Sequence, residues 1–354
     1  MGRLILKNCN VNGNITDIVI ENKKILSVGK CSEAGIDIRG KKVYPGLFDI
    51  HAHGLCGYDT MDGDKLCKMS YELAAAGTTS WLPTTMTMDF DTIEKVVRSI
   101  PEQKGANIPG FHMEGPYINE KYKGAQNKKF IKNPDINEFN KLCNIKMVTI
   151  APELEASMDF IKNCKAVVSL GHTDCDYDTA KSAIDNGAMC LTHTFNAMPP
   201  LHHRNPGPIG AAIDNNIYIQ VICDGLHIHP ALIRTLYRLF GKERLILISD
   251  SMRATKLSDG EYEFGGQPID VVNSVARTRE GAIAGSTSTL FDCVKKAIEF
   301  GISEEDAFYM ASRTPAVLMG ENKGLITEGF DAELIVLNED LTTDKVIING
   351  EIFK

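Results

Sequence analysis

The sequence lacks several features that mark specialised classes of protein. No two of its ten cysteines form a Cys-x-x-Cys pair, so we expect free thiols in a reducing cytosol. No apolar run approaches the roughly 18 residues that a membrane span needs. Basic residues are outnumbered, giving a formal net charge of −8, and this balance disfavours a nucleic-acid surface. We therefore expect a cytoplasmic protein that binds neither membrane nor nucleic acid.

The two ends of the chain resemble each other and differ from the middle. Residues 1–46 and 325–354 carry short β-rich pieces separated by turn signals such as Asn-Gly. Neither end is long enough to bury a core by itself. We therefore predict one small β-sandwich domain formed from both chain termini, with residues 47–324 as the other domain.

That middle region alternates short apolar runs with helical stretches. The alternation predicts an α/β fold, a (β/α)8 TIM-type barrel, in which chemistry is expected at the carboxyl ends of the strands. The predicted strands are Leu47–His51, Thr78–Leu82, Ile108–Met113, Met147–Ala151, Ala166–Leu170, Met189–Thr192, Ile217–Cys223 and Leu245–Ser249. The predicted helices are Asp64–Ala76, Asp89–Ser99, Tyr177–Asn186, Pro230–Phe240, Thr289–Phe300 and Glu304–Ser312.

Histidines cluster in one part of the chain. All nine lie between His51 and His229, and most come just after a predicted strand. His51 and His53 are two residues apart, so both point to one face of an extended strand and suit a divalent metal. Taken alone, this pair is explained equally well as two polar strand-end residues bonded to their neighbours.

Other strand ends supply further candidate metal ligands. Glu114 follows the third strand, His172 the fifth and His193 the sixth. Each has a structural alternative by itself, an ion pair for the glutamate and a packed imidazole for each histidine. Beside the first histidine pair, they favour a metal centre. We expect His112 to point to the opposite face from the ligands, in a supporting or packing role.

The last strands add residues suited to hydrolysis and to binding an anion. Asp250 follows the eighth strand, where a carboxylate can take a proton from water and return it to a leaving amine. A helix N-cap is the alternative role for this aspartate. The loop after His193 carries three prolines and Arg204, which suit a polar, anionic small molecule. His227 is expected to face the substrate.

Eight segments of the chain, taken in order, resemble the N-acetylglucosamine-6-phosphate deacetylases of the amidohydrolase superfamily. They are PGLFDIHAHG, FHMEGPYIN, GHTD, THTFNAMPPLHHRNPG, DGLHIHP, SDSMRA, AIAGSTSTL and TPAVLMG with KGLITEGFDAELIVL. The resemblance runs from about residue 45 to 337. It implies a metal-dependent homodimeric enzyme of amino-sugar catabolism. The implied reaction converts N-acetyl-D-glucosamine 6-phosphate to glucosamine 6-phosphate and acetate.

The resemblance also implies a role for individual residues. Asp250 matches the catalytic carboxylate. The matching metal ligands are Glu114, His172 and His193 for the principal site and His51 and His53 for a second ion that only some members bind. The implied cofactor is therefore one or two divalent ions per subunit, with zinc as the first choice and Fe, Mn, Co or Ni as alternatives. The implied substrate contacts are Ala125, Gln126, Asn196, Ala197, Arg204, Asp224, His227, Ile283, Ala284 and Gly285. Part of the family's phosphate pocket comes from the neighbouring subunit.

Gln126 is a departure from the family pattern. Several members carry a histidine here that polarises the acetyl carbonyl. Glutamine can donate a hydrogen bond but cannot carry a charge, so we expect the metal, or a second metal, to contribute more in this chain.

Two classes of alternative function remain open. The first class is another amidohydrolase. One candidate is an N-acetylgalactosamine-6-phosphate deacetylase, which residue spacing does not distinguish from an N-acetylglucosamine-6-phosphate deacetylase. The other candidates are a dihydroorotase, a hydantoinase or a deaminase. Dihydroorotases and hydantoinases commonly use a carboxylated lysine after the fourth strand, where this chain reads Ile150-Ala-Pro-Glu153. An inactive metal-binding homologue is the second class, and the complete ligand set with Asp250 argues against it.

Overall fold

The structure, a computed structural model, describes residues 2–100 and 104–354. Met1, the first residue of the predicted small domain, lies outside these residues. In chain order the strands are β1 (Leu4–Val11), β2 (Asn14–Glu21), β3 (Lys24–Val28), β4 (Ile36–Asp37), β5 (Lys42–Pro45), β6 (Leu47–Ala52), β7 (Gly54–Leu55), β8 (Tyr58–Asp59), β9 (Thr78–Thr85), β10 (Phe111–Glu114), β11 (Ile145–Ile150), β12 (Val167–Leu170), β13 (Ala188–Leu191), β14 (Tyr218–Ile222), β15 (Leu245–Ile248), β16 (Gly260–Phe264), β17 (Gln267–Val272), β18 (Val275–Thr278), β19 (Leu334–Leu337), β20 (Thr343–Ile348) and β21 (Glu351–Ile352). The α-helices are α1 (Leu66–Ala75), α2 (Phe90–Val97), α3 (Ile136–Phe139), α4 (Ser157–Asn163), α5 (Tyr177–Asp185), α6 (Gly207–Asn215), α7 (Pro230–Phe240), α8 (Leu290–Glu299) and α9 (Glu304–Met319).

Eight parallel strands form a barrel in the middle of the chain. Their order around the sheet is β6, β9, β10, β11, β12, β13, β14 and β15. The barrel closes where the Asp250 N–H donates to the His51 carbonyl at 2.9 Å and Ala52 pairs with Ser251. The predicted (β/α)8 barrel is confirmed, with strand boundaries that differ from the prediction by a few residues.

Helix α9 closes the base of the barrel, at the amino ends of the strands. It continues beyond the predicted end at Ser312, although Pro315 lies inside it and cannot donate a backbone hydrogen bond. Its last turn, which includes Leu318, packs against Phe48 and Ile50 inside the barrel. Burying a side chain such as Leu318 or Met319 contributes about 1.5–3 kcal/mol, so the two together offset the roughly 3 kcal/mol that an interior proline costs.

A buried glutamate joins the base of the barrel to the strands of the chain ends. Glu333 Oε2 accepts hydrogen bonds from the hydroxyls of Thr79 at 2.9 Å and Ser80 at 2.8 Å. Its Oε1 accepts from Asn107 Nδ2 at 2.6 Å and from Lys323 Nζ at 3.0 Å. Both oxygens of this carboxylate are therefore hydrogen-bonded, and its charge is balanced by an ammonium group.

Both chain ends contribute to one small β-domain, as predicted. Its sheet has the order β21, β20, β19, β5, β1, β2 and β3, and β4 pairs with β1. The strands from the two ends meet where β19 runs antiparallel to β5, with Leu334 opposite Pro45. Apolar residues from both ends, including Leu6, Ile18 and Val336, share one core. This shared core supplies the buried surface that neither end has alone.

A three-stranded antiparallel sheet of β16, β17 and β18 follows the barrel. This sheet is not among the predicted elements, because most side chains of its strands are polar or exposed. Phe264, Ile269, Val271 and Ala276 are its buried residues, and they pack with Met86 and Met252 at the rim of the barrel. The inserted sheet therefore forms part of the barrel mouth.

The fold also bears on the cysteines and on the expected lack of a membrane span. All ten cysteines belong to the described residues and are free thiols. Among the described helices, none combines the length and the apolar character that crossing a bilayer requires.

Candidate functional site

The predicted metal ligands and Asp250 come together at the carboxyl ends of the barrel strands. Each of these side chains is buried, with at most 7% of its residue exposed. β6 carries one ligand and β10 ends with another, whereas the remaining residues lie just after strands. These residues are His51, His53, Glu114, His172, His193 and Asp250.

Three of these residues have an unusual backbone conformation. His172, His193 and Asp250 have φ angles of 48°, 28° and 47°. Each lies two residues after the end of a parallel strand. Left-handed backbone at residues other than glycine costs on the order of 1–3 kcal/mol and is concentrated at functional sites. At each of these residues the backbone leaves the extended conformation of the strand, and the side chain faces the site.

Glu114 lies between two sets of histidines. Its Oε1 is 3.3 Å from His172 Nε2 and 3.2 Å from His193 Nε2, and these two nitrogens are 3.0 Å apart. On the other side, Oε2 is 3.2 Å from His53 Nε2, and Oε1 is 3.2 Å from His51 Nε2. In each set the ligand atoms lie within 4.8 Å of one another, so each set can hold one ion.

Hydrogen bonds at the far side of the ring orient three of the four imidazoles toward Glu114. His172 Nδ1 is 2.7 Å from the Tyr122 carbonyl, and His53 Nδ1 is 3.1 Å from the Thr84 carbonyl. A carbonyl oxygen only accepts, so each Nδ1 must donate and each Nε2 is left for a proton or a metal. His51 is held in the same way by Gln220 Oε1 at 3.0 Å.

A cation fits this arrangement better than protons do. The two nitrogens that face each other at 3.0 Å, in His172 and His193, cannot both carry a hydrogen along the line between them. The same holds for His51 and His53, whose Nε2 atoms are 3.2 Å apart. Nitrogen lone pairs and a carboxylate that converge in a buried space suit a divalent metal.

The pKa values of Glu114 and the groups around it also indicate that this site favours positive charge. Burial opposes ionisation, but His51 and His172 hold the pKa of Glu114 well below its usual range. Burial also opposes the charge of His53, yet hydrogen bonds to Asp250 and Glu114 raise its pKa to about 10. Burial lowers the pKa of His193 and favours the neutral ring that binds metal.

Asp250 lies beside the second set of histidines. Its Oδ1 is 3.4 Å from His51 Nε2 and 3.3 Å from His53 Nε2. Despite its burial, these imidazoles hold the pKa of Asp250 below its usual range, so the carboxylate is ionised at neutral pH. The alternative role as a helix N-cap is wrong, because turns and strands follow and the next helix, α8, begins at Leu290.

A cavity of about 570 Å³ opens above these groups. Seven of the ten predicted substrate contacts line it: Ala125, Gln126, Asn196, Ala197, His227, Ile283 and Gly285. Asp224 lies behind the wall and accepts a hydrogen bond from His227 Nδ1 at 2.7 Å, so it positions that ring. Ala284 is fully buried and packs with the core of the inserted sheet.

Arg204 lies outside this cavity. It borders a second cavity of about 630 Å³ together with Asp174 and Tyr177, and its guanidinium contacts His203 at 2.8 Å. Within one chain, the proline-rich loop therefore places Arg204 away from the metal ligands. Its contact with the substrate stays a prediction, as does a contribution to the pocket of a neighbouring subunit.

The expectation for His112 was wrong in one respect. His112 and Glu114 are two residues apart on β10 and share a face of the strand. The His112 ring packs edge-on against His51 at 4.6 Å, and its Nε2 pairs with Thr149 at 2.8 Å. It therefore lies inside the barrel beneath the ligands, and burial lowers its pKa well below the usual value.

Phe264 is a cavity residue that the sequence analysis missed. Its ring is 3% exposed and stands edge-on to His53, with the ring centres 5.2 Å apart. It comes from β16, a strand whose other side chains are at least partly exposed. The sequence signal available was the turn Gly265-Gly266 between two short β-rich runs.

Comparisons with known proteins agree with this site. The profile of the amidohydrolase family matches residues 43–353. The chain is 38% identical over 330 residues to the N-acetylglucosamine-6-phosphate deacetylase of Bacillus subtilis (strain 168), covering 87% of this chain and 83% of that protein. It is 34% identical over 327 residues to the N-acetylgalactosamine-6-phosphate deacetylase of Escherichia coli O157:H7, covering 87% and 86%.

A solved structure extends the similarity to the whole fold. It is a mutant of the Mycobacterium smegmatis N-acetyl-D-glucosamine-6-phosphate deacetylase in complex with N-acetyl-D-glucosamine-6-phosphate. The two chains share 30% identity with a TM-score of 0.93, and the match covers 100% of each. The family resemblance inferred from the motifs is confirmed, and the histidine and glutamate cluster is consistent with a divalent metal. This chain belongs to the amidohydrolase family.

Proposed function

We propose that this protein hydrolyses the N-acetyl group of N-acetyl-D-glucosamine 6-phosphate to give glucosamine 6-phosphate and acetate. The names of its relatives support this substrate, as does the sugar phosphate bound in the similar Mycobacterium smegmatis structure. We further propose zinc as the metal, a homodimer as the assembly and the cytoplasm as the location. The two domains are proposed to comprise residues 1–46 with 325–354, and 47–324.

Glu114, His172 and His193 would hold the principal ion, and His51 and His53 would hold a second one with Glu114. A divalent ion in such a site acts as a Lewis acid that polarises a carbonyl and activates water. The chain supplies the proton transfers. Asp250, ionised and buried beside the cavity, takes a proton from the attacking water and returns it to the sugar nitrogen as the C–N bond breaks.

Residues farther along the cavity would position the sugar phosphate. His227 is held by Asp224 and faces the cavity, where its ring can donate a hydrogen bond to an anion. Asn196 and the backbone near Gly285 line the same space. Binding energy from these contacts, remote from the amide, orients the reacting bond. In a homodimer, Arg204 is proposed to complete the phosphate pocket across the interface.

One observation carries this proposal: the ionised Asp250 and the Glu114 ligand sets meet at one cavity. The test is acetate release from a panel of phosphorylated and unphosphorylated N-acetyl sugars, with elemental analysis of the purified protein. We expect rapid release from the 6-phosphate, and one or two zinc ions per chain. Equal activity on the unphosphorylated sugar would contradict the proposed phosphate contacts, and no release from any sugar would contradict the activity.

N-acetylgalactosamine 6-phosphate is the second candidate substrate. The relative that is named for this epimer is 34% identical to the chain, close to the 38% of the Bacillus subtilis protein. The same panel decides between the two, because it gives kcat/KM for both epimers. A higher kcat/KM for the galactose epimer would replace the first proposal with the second.

A further inference from the structure

Gln126 makes hydrogen bonds with both ends of its side-chain amide. Its Oε1 accepts the backbone N–H of Thr87 at 2.7 Å, and its Nε2 donates to Glu114 Oε2 at 2.6 Å. A backbone N–H only donates, so the Thr87 contact fixes which end of the amide is the oxygen. The NH2 group must therefore point to Glu114.

The surroundings of Gln126 hold this arrangement rigidly. The residue is 3% exposed, and its Nε2 also lies 3.9 Å from Met86 Sδ. Thr87 is itself packed against the turn after β10, where a Cβ on Gly115 would lie 2.0 Å from the Thr87 hydroxyl oxygen. The backbone on both sides of the amide is thus tightly packed, and the amide cannot turn away without losing the Thr87 bond.

The two oxygens of Glu114 consequently have different environments. Among the described residues, the polar neighbours of Oε1 are imidazole nitrogens, those of His51, His172 and His193 at 3.2–3.3 Å. Oε2 faces the His53 ring and already accepts a short hydrogen bond from an amide. That hydrogen bond partly neutralises the charge that a cation at Oε2 would use.

We propose that Gln126 is a positioning residue that holds Oε2 of Glu114 and makes the two ligand sets unequal. The set of Glu114, His172 and His193 binds its ion tightly through the free Oε1. The set of Glu114, His51 and His53 binds a second ion more weakly, because the carboxylate oxygen that faces His53 is already bonded to the amide. The side chain at position 126 thus controls how many ions the site retains.

This inference rests on the proposed function only in that it concerns the same metal site. The experiment is therefore a calorimetric titration of chelator-treated protein with Zn²⁺ alone. It measures zinc binding and involves no turnover. For the unchanged protein we expect one tight ion and one ion that binds at least tenfold more weakly. Two ions of equal affinity would overturn the proposal.

Two substitutions separate the donor effect from the effect of a new ligand. Gln126→Glu keeps an acceptor for Thr87 and replaces the donor with a carboxylate oxygen. Gln126→Leu removes the donor and adds no ligand. In both variants we expect the affinity for the second ion to rise by about tenfold or more, with little change at the first. An unchanged second affinity in both folded variants would overturn the proposal.

Gln267→Leu is the matched control. Gln267 Nε2 donates to the Ala125 carbonyl at 2.7 Å, so this glutamine holds the same loop without contacting Glu114. We expect the control to leave both zinc affinities unchanged. If it tightened the second ion as much as Gln126→Leu, the effect would come from loosening the loop and the proposed role of Gln126 would be wrong.

Discussion

The barrel buries a glutamate at each end, and the two differ in what surrounds them. Glu333 at the base accepts four hydrogen bonds from neutral and cationic donors, including Lys323 Nζ at 3.0 Å. Glu114 at the mouth faces four histidine nitrogens, and three of those rings, in His51, His53 and His172, have their other nitrogen held by a hydrogen bond. One carboxylate is satisfied by the chain itself, whereas the other is arranged for a cation.

Residues that stabilise the fold and residues suited to chemistry therefore lie at opposite ends of the barrel. In (β/α)8 barrels the amino ends of the strands carry residues that stabilise the fold, and the carboxyl ends carry the active site. We expect substitutions at the mouth to change turnover and metal content, and substitutions at the base to change the free energy of unfolding.

The largest effect is expected for Asp250→Asn. Loss of the base should lower kcat/KM for the sugar phosphate by about 10²–10⁴-fold, because general acid–base groups contribute about that much. Zinc content and melting temperature should stay near those of the unchanged protein. Asp89→Asn is the control, since Asp89 only caps α2 through the Thr92 N–H at 2.9 Å. Retained turnover in Asp250→Asn would remove Asp250 from its role.

Glu333→Gln should affect stability and leave the metal site intact. Removing one partner of a buried ion pair costs about 3–5 kcal/mol, here because the Lys323 ammonium loses its counter-charge. Denaturant unfolding and zinc analysis of the purified variant provide the measurements. Glu114→Gln is the reciprocal variant, which should lose zinc with a smaller change in the unfolding of the metal-free protein. The same outcome for both variants would contradict the separation.

Metal removal provides a third, smaller effect. An ion that binds only the folded state at a hundred times its Kd stabilises that state by about 2.7 kcal/mol. Adding Zn²⁺ to chelator-treated protein should therefore raise the melting temperature of both the unchanged protein and Glu333→Gln. Glu114→Gln should show little or no rise. A rise of equal size in Glu114→Gln would place the ion elsewhere.

The smallest effect concerns another buried carboxylate, Asp17 in the small β-domain. Hydrogen bonds from the backbone of Cys31 and Asn8, followed by Lys7, lower the pKa of Asp17 below its usual range. A lowered pKa gives stability that is complete above the unfolded-state pKa of about 3.9 and is lost as the pH falls toward the folded-state value.

Asp17→Asn should therefore be less stable than the unchanged protein at pH 7, by about 1 kcal/mol for the weakened hydrogen bonds. The difference should shrink as the pH falls below about 4, because the native carboxylate then loses its advantage. Thermal unfolding of both proteins across this range measures it. A constant difference at every pH would show that the charge of Asp17 contributes nothing.

Much of the architecture could be predicted from the sequence, for identifiable reasons. The barrel strands are short apolar runs with helices between them, so their pattern has few other interpretations. The ligand residues follow those strands directly, as His172 and His193 do, and parallel strands bring their carboxyl ends together. Local sequence therefore determines the position of these side chains almost completely.

The missed features depend on contacts between distant segments. The inserted sheet buries only a few of its residues, so its strands lack a clear apolar pattern, and Phe264 was overlooked with them. The partner of Gln126 is set by a loop that folds back onto β10. Arg204 lies among three prolines in a loop whose path depends on packing against other parts of the surface. No short stretch of sequence contains that information.

Pairing between the two chain ends has a consequence for synthesis on the ribosome. β1 and β2 are made early, but their core includes Leu334, Val336 and Ile347, and β5 pairs with β19. At about 5–20 residues per second, the first strands wait on the order of 15–60 s for these partners. During that interval their apolar faces are uncovered. The small domain is therefore completed only once β19 and β20 have been made.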